Sequence, residues 1–176
     1  MIFFIRKYSG AFLFACLAML STGPAGAASQ AKQVAGWLER VMVCPEKLVF
    51  RAKLDTGAKT TSLDASNIAT FQRDGENWLR FDVTDFHGKQ RTLEKRLVRV
   101  AKVKQHQKKA AERFVIHLGI CLGELYRQVE VNITDRSGFN YRMLIGRSFM
   151  GDRLVVDPSI RFTTQPACNS VCFSEP

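Results

Sequence analysis

Apolar and polar positions alternate with period two through much of this chain, the pattern of strands with one buried face. Val41 to Val43 predicts a first strand after a polar lead-in over Gln30 to Trp37. Leu48 to Leu54 predicts a second strand, and Thr60 to Ala65 a third. Trp78 to Val83 alternates cleanly, Phe86-His87-Gly88-Lys89 supplies a turn, and Thr92 to Val100 answers as the hairpin partner. Phe114 to Leu118 and Gln128 to Ile133 alternate again, and Asp135 to Gly138 turns the chain into Tyr141 to Ile145. Helical periodicity is confined to Ser148 to Gly151. The sum is an all-β fold, a small, mostly antiparallel barrel with one short helix. There is no internal repeat.

The first segment stands apart from this pattern. Arg6 and Lys7 give a basic start, Ala11 to Leu20 is uncharged and mostly apolar, and Ala25-Gly26-Ala27 has the form of a cleavage site. These features predict a secretory signal peptide over residues 1–28 and export to a periplasmic space. Leu13-Phe14-Ala15-Cys16 has a lipoprotein outline, but bulky Phe14 and the apolar run beyond Cys16 favour plain cleavage. The expected organisation is a domain over 29–162 and a C-terminal tail over 163–176.

The full chain of 176 residues carries a formal charge of +10. Loss of Arg6 and Lys7 with the leader lowers this to +8, and segment 89–113 alone holds that excess, ten Lys/Arg against Glu94 and Glu112. Such a run is either a solvated strand face with its loop or an electrostatic guide for an acidic substrate or anionic surface. Nucleic acid is not expected as a partner of an exported chain without aromatics interleaved in the run. Four cysteines remain after the leader: Cys44, Cys121, Cys168 and Cys172. An oxidising compartment predicts disulfides. The short separation favours Cys168 with Cys172, leaving Cys44 and Cys121 to pair.

Candidate chemistry gathers at Asp55-Thr56-Gly57-Ala58, directly after the alternating run Phe50 to Leu54. A carboxylate at a strand end can reach a water and a substrate carbonyl. The Thr56 hydroxyl can pin the loop, Gly57 admits close backbone approach, and Ala58 lines the floor. Met143-Leu144-Ile145-Gly146-Arg147 is a second apolar strand running into Gly-Arg, about ninety positions later. Asp-Thr-Gly-Ala early with Leu-Ile-Gly-Arg late resembles the retropepsin fold of retroviral proteases. Gly36-Trp37, Ala52 to Ala65, Ile133 to Gly138 and Leu154 to Pro158 extend the match. The chain from about Gly36 to Phe162 is similar to bacterial retropepsin-like peptidases, whose members often carry the label ATP-dependent zinc protease.

The resemblance implies a small closed acid-protease barrel with Asp55 as catalytic residue and Thr56, Gly57 and Ala58 as the active-site loop. Ile145, Gly146 and Arg147 would support the core or the dimer. Two carboxylates about 3 Å apart repel by roughly 5 kcal/mol at an effective dielectric near 20, so an aspartic dyad holds one proton near neutral pH. One Asp-Thr-Gly occurs, so the second carboxylate would come from a symmetric partner chain, a homodimer. Asp82, Asp135 and Asp157 are rival carboxylates whose types suit turn caps or ion pairs. Arg136 belongs to that turn. Lys59 is a cation expected near the dyad.

Neither word of the zinc and ATP label is supported by motif. There is no H-E-x-x-H, His87, His106 and His117 are far apart, and no phosphate-binding P-loop motif is present. The expectation is therefore no metal and no cofactor. Two functional classes remain open. One is an exported aspartic peptidase acting on protein or peptide substrates, with trimming of acidic tails as a narrower version suggested by relatives paired with amino-acid ligases. The other is a silent docking or regulatory subunit with an envelope partner protein. Asp55→Asn separates them, because docking should survive it.

Overall fold

The computed structural model describes residues 31–105 and 108–172; the leader over 1–28 and His106 lie outside the described residues. Ten strands and two single-turn helices follow one another: β1 Gln33–Cys44, β2 Leu48–Leu54, β3 Thr61–Asp64, β4 Ser66–Arg73, β5 Glu76–Thr84, β6 Gln90–Gln105, β7 Lys108–Leu122, β8 Leu125–Thr134, β9 Met143–Ile145, α1 Arg147–Met150, β10 Leu154–Arg161 and α2 Asn169–Cys172. The spatial order is β10-β1-β2-β9-β3-β8-β7-β6-β5-β4, and β1 also pairs with β7. That extra pairing closes β1, β2, β9, β3, β8 and β7 into a six-stranded barrel. The retropepsin-like barrel expected from the sequence is the observed fold.

Alternation explains the closure. Along β2 the burial reads in turn buried and open, with Leu48, Phe50, Ala52 and Leu54 facing inward and Arg51 and Lys53 outward. The inward residues join Phe81, Ile116, Ile120, Met143 and Phe149 in one continuous core. Hydrophobic burial of this kind contributes about 25 cal/mol per Å2 of apolar surface removed from water. Beyond the barrel, β5 pairs with β6 in the expected hairpin register, Phe81 opposite Leu93 and Thr84 opposite Gln90. Gly88 sits in the turn at φ +82°, a left-handed conformation that glycine adopts without penalty. The basic run over 89–113 builds the paired strands β6 and β7. Several of its cations are neutralised there: Lys95 by Glu46 and Arg96 by Glu76, each at 2.7 Å, and Arg99 by Glu130.

Three features depart from the sequence pattern. β1 begins at Gln33, inside the expected polar lead-in, because its first half is held by parallel pairing with β10. β4 is an edge strand without a buried face, so it carries no alternation. A second helical turn, α2, sits in the tail.

The disulfide pairing is corrected. Cys168 and Cys172 do not bridge each other; Cys44 joins Cys172 and Cys121 joins Cys168, with Cα separations of 5.2 and 5.9 Å. The Cys172 N–H donates to the Cys168 carbonyl at 2.9 Å, so the two thiols project from one face of a single helical turn. That face meets β1 and β7, where Cys121 pairs with Met42, two positions from Cys44. Each tail cysteine therefore takes one strand.

The tail has a second anchor. Glu39, fully buried on β1, accepts hydrogen bonds from the N–H of Gly36 at 2.8 Å, of Thr163 at 2.9 Å and of Thr164 at 3.1 Å, and from the Thr163 hydroxyl. Burial pushes this carboxyl up, but these donors, Thr163 foremost, outweigh it and hold it below its ordinary value.

Candidate active site

β2 ends at Leu54, and Asp55 follows as the chain turns. Its N–H donates to the Ile145 carbonyl of β9 at 2.9 Å, and its carbonyl accepts from the Ala58 N–H at 3.2 Å. Asp55 Oδ1 accepts from the Gly57 N–H at 3.0 Å. One backbone donor thus fixes the carboxylate while its side chain stays 28% exposed. β2 and β9 run parallel with Leu54 opposite Ile145, so the carboxylate is carried by the barrel wall.

The late Gly-Arg segment completes the loop. The Arg147 N–H donates to the Ala58 carbonyl and the Ser148 N–H to the Lys59 carbonyl, both at 2.9 Å. Arg147 Nη1 donates to the carbonyls of Thr56 and Gly57 at 2.8 and 2.9 Å. The loop is attached through the Thr56 carbonyl, whereas the sequence pointed to the Thr56 hydroxyl. The Gly146 N–H donates to Thr61 Oγ1 at 3.2 Å. A Cβ on Gly146 would lie 2.6 Å from the Lys59 carbonyl oxygen, whereas one on Gly57 would meet Asp55 Oδ1 at 3.2 Å. The late glycine is thus the tighter of the two.

Asp55 opens into a cavity of about 570 Å3 whose walls include Trp37, Lys53, Ala58, Arg113, Arg136 and Tyr141. Lys53 Nζ lies 3.7 Å from Asp55 Oδ2. Period two puts Lys53 and Asp55 on the same side of the chain, a signal readable in the sequence but assigned there to Lys59. Lys59 instead lines a separate cavity with Arg99 and Glu130, because it stands beyond the turn. Arg136 enters from the β8–β9 connection and Arg113 from β7; the sequence offered the first only as part of a turn and the second only as part of the basic run, not as neighbours of Asp55.

Arg136 is 7% exposed. Its Nη1 donates to Ser62 Oγ at 2.9 Å and its Nε to the Tyr141 carbonyl at 3.2 Å. Burial pulls the guanidinium below its ordinary value and nearby Arg113 adds to this, while Asp64 and Asp55 oppose it. Arginine nonetheless remains protonated at any working pH. The rival carboxylates are spent on local structure. Asp82 accepts from Asn67 and Thr92, Asp135 from the Ser137 N–H, and Asp157 from Ser159. His87 lies in the β5–β6 turn and His117 on β7. Among the described residues no group of three or more His, Cys, Asp or Glu is placed to hold a metal.

A single-lobed acid-protease barrel presenting one Asp-Thr-Gly loop at the end of an inner strand defines the retropepsin-like class. The chain belongs to the RimB-like family, described as retropepsin-like aspartic endopeptidase RimB, whose family model matches residues 34–167. It is 36% identical over 115 residues to a protein of Desulfotalea psychrophila named probable alpha-L-glutamate ligase, covering 64% of this chain and 25% of that protein. A Shewanella pealeana protein of the same name is 35% identical over 116 residues, again with 64% and 25% covered. The chain thus matches about a quarter of the length of these curated relatives. A solved Legionella pneumophila structure, titled a protein of unknown function, superposes with a TM-score of 0.67 at 35% identity, covering 77% of this chain and all of that one.

Proposed function

We propose that this protein is an exported, homodimeric aspartic peptidase whose dyad combines Asp55 from two subunits. The observation that carries the reading is the Asp55 carboxylate, fixed by the Gly57 N–H at 3.0 Å and opening into a cavity of about 570 Å3. With one such carboxylate per chain, a two-fold partner supplies the other. The ionised member takes a proton from water, and the protonated member donates to the scissile carbonyl. Water oxygen bonds to the carbonyl carbon, the C–N bond then breaks, and the leaving amine takes a proton from the dyad. Acidic peptides are the favoured substrates. The cations Lys53, Arg113 and Arg136 around Asp55 support this, as does the glutamate ligase name of the longer relatives. The leader over 1–28 supports a periplasmic location.

The test is cleavage of acidic peptides by the wild type and by Asp55→Asn at several protein concentrations, with and without a chelator. The expected result is activity that rises steeply with concentration, survives chelation and vanishes in a folded, peptide-binding Asp55→Asn. Wild-type rates in the variant, or loss of activity on chelation, would overturn the dyad.

A further inference from the structure

Two turns meet at one end of the barrel. The Phe86 N–H of the β5–β6 turn donates to the Val49 carbonyl, one residue into β2, at 2.7 Å. Four cations stand exposed there: Lys47, Arg51, Lys89 and Arg91. The carboxylates of the same two turns point inward and are already engaged. Asp85, 5% exposed, accepts from the N–H groups of His87 and Lys89, each at 2.8 Å. Glu46 pairs with Lys95 at 2.7 Å through a side chain that is 15% exposed. Among the described residues no carboxylate lies within 4.0 Å of the charged groups of Arg51, Lys89 or Arg91. Phe86 is exposed among them, with the Arg51 guanidinium 3.8 Å over its ring and the His87 ring 4.9 Å away.

Charges of one sign gathered at one end raise a positive potential that attracts an extended anionic surface. An apolar ring flanked by cations is also the composition of segments that settle at a bilayer interface, the ring towards the acyl chains and the charges among the headgroups. The Asp85 hydrogen bonds fix the turn in advance, so seating Phe86 orders no loop. A bilayer is favoured over an acidic protein because the leader read in residues 1–28 would carry the chain across one.

We propose that this end of the barrel is a docking surface for an anionic phospholipid bilayer. Phe86 enters the interface, and Lys47, Arg51, Lys89 and Arg91 meet the lipid phosphates. β2 starts at this end and runs to Leu54, next to Asp55. The strand steps from Val49 to Asp55, at about 3.3 Å each, hold the Asp55 carboxylate roughly 20 Å from the lipid. Docking thus leaves the Asp55 loop clear of the bilayer, and it does not depend on the peptidase reading.

The experiment sediments the mature chain with vesicles of phosphatidylcholine, alone or with about a quarter phosphatidylglycerol. Binding to the anionic vesicles should be about tenfold tighter or more, and should weaken as salt shortens the Debye length. Arg51→Gln with Lys89→Gln should weaken it about thirtyfold, the scale set by two cations at a charged surface. Lys32 precedes β1 and Lys59 follows the Asp55 loop, both away from this end. Lys32→Gln with Lys59→Gln removes the same charge and should leave binding nearly unchanged. Phe86→Trp gives a second readout if the first pair melts early. Brominated phosphatidylglycerol should quench its emission beyond the wild type, which has Trp37 and Trp78 alone.

Equal binding to both vesicles, none at millimolar lipid, equal losses from the two charge pairs, or an unquenched Phe86→Trp would overturn the surface. Displacement by millimolar glycerol phosphate would also overturn it and mark a headgroup pocket. An acidic peptide held through the same four cations by a chain that ignores vesicles would assign the patch to a protein partner instead. Peptide cleavage without vesicle binding would remove the docking surface and leave the peptidase reading standing.

Discussion

Arg147 holds Gly57 across ninety positions of sequence, its Nη1 2.9 Å from the Gly57 carbonyl oxygen, and the same nitrogen reaches the Thr56 carbonyl. The Asp55 loop is therefore clamped by a side chain. Arg147→Lys keeps the charge but not the fork. It should lower kcat/KM for peptide cleavage by about tenfold to a hundredfold, the scale of one or two lost charged hydrogen bonds. Melting should shift only slightly. Hydrogen exchange at Gly57 and Ala58 should speed up in the variant, which a purely substrate-binding role for Arg147 would not produce.

Gly146 leaves no room for a side chain. A Cβ there would press on backbone from Lys59 and Thr60, at 2.6 and 2.7 Å, and backbone cannot swing aside as a side chain can. Gly146→Ala should destabilise the domain by about 1–3 kcal/mol and separate α1 from the Asp55 loop. Urea unfolding measures the first and loss of cleavage the second. Gly57→Ala should be milder, since its nearest obstacle is the Asp55 side chain at 3.2 Å.

Glu39 makes stability pH-dependent. Its folded-state carboxyl lies below the ordinary value despite burial. The ionised form therefore contributes stability above the unfolded carboxyl's range, lost as pH falls through the folded value. Glu39→Gln should remove this acid-range dependence and cost about 2–3 kcal/mol at neutral pH, because three N–H groups lose a charged acceptor. Thermal melts of both proteins from pH 7 down to pH 3 should converge; curves that stay parallel would reject the assignment.

The two disulfides close loops of 128 and 47 residues. Removing either pair to serine should cost about 2–5 kcal/mol by the chain-entropy argument. Peptide mapping without reduction should recover Cys44 linked to Cys172 and Cys121 linked to Cys168. A Cys168–Cys172 peptide would contradict the fold. The cost of losing both should fall short of the sum, since both bridges hold the same helical turn.

Much of the fold was legible because β2, β5 and β8 carry alternation that only a half-buried strand requires. β4 was not, since Ser66 to Arg73 has no buried residue to set a phase. β10 escaped for a related reason: only Leu154 is buried, and the strand is held by pairing with β1. The cysteine partners depend on barrel closure, a long-range event that sequence separation misjudges. At the site, Asp55 and the Gly146-Arg147 step were readable because their chemistry is concentrated in a few adjacent residues. Arg136 was legible only as part of a turn and Arg113 only as one of a basic run; that they meet beside Asp55 is a property of topology, since they come from β7 and the β8–β9 connection.

The clamp on the Asp55 loop also sets a timetable. Among the described residues, the hydrogen bonds that reach Thr56, Gly57 and Ala58 from outside the loop come from Arg147, and those that reach the flanking Asp55 and Lys59 come from Ile145 and Ser148. A growing chain that has emerged only as far as β8 already displays the acidic side chain, but on an untethered turn. Competence arrives late, within four residues, after almost all of the barrel has been made. The carboxylate of Asp55 is thus laid down early and its supports arrive only with the last elements of the barrel.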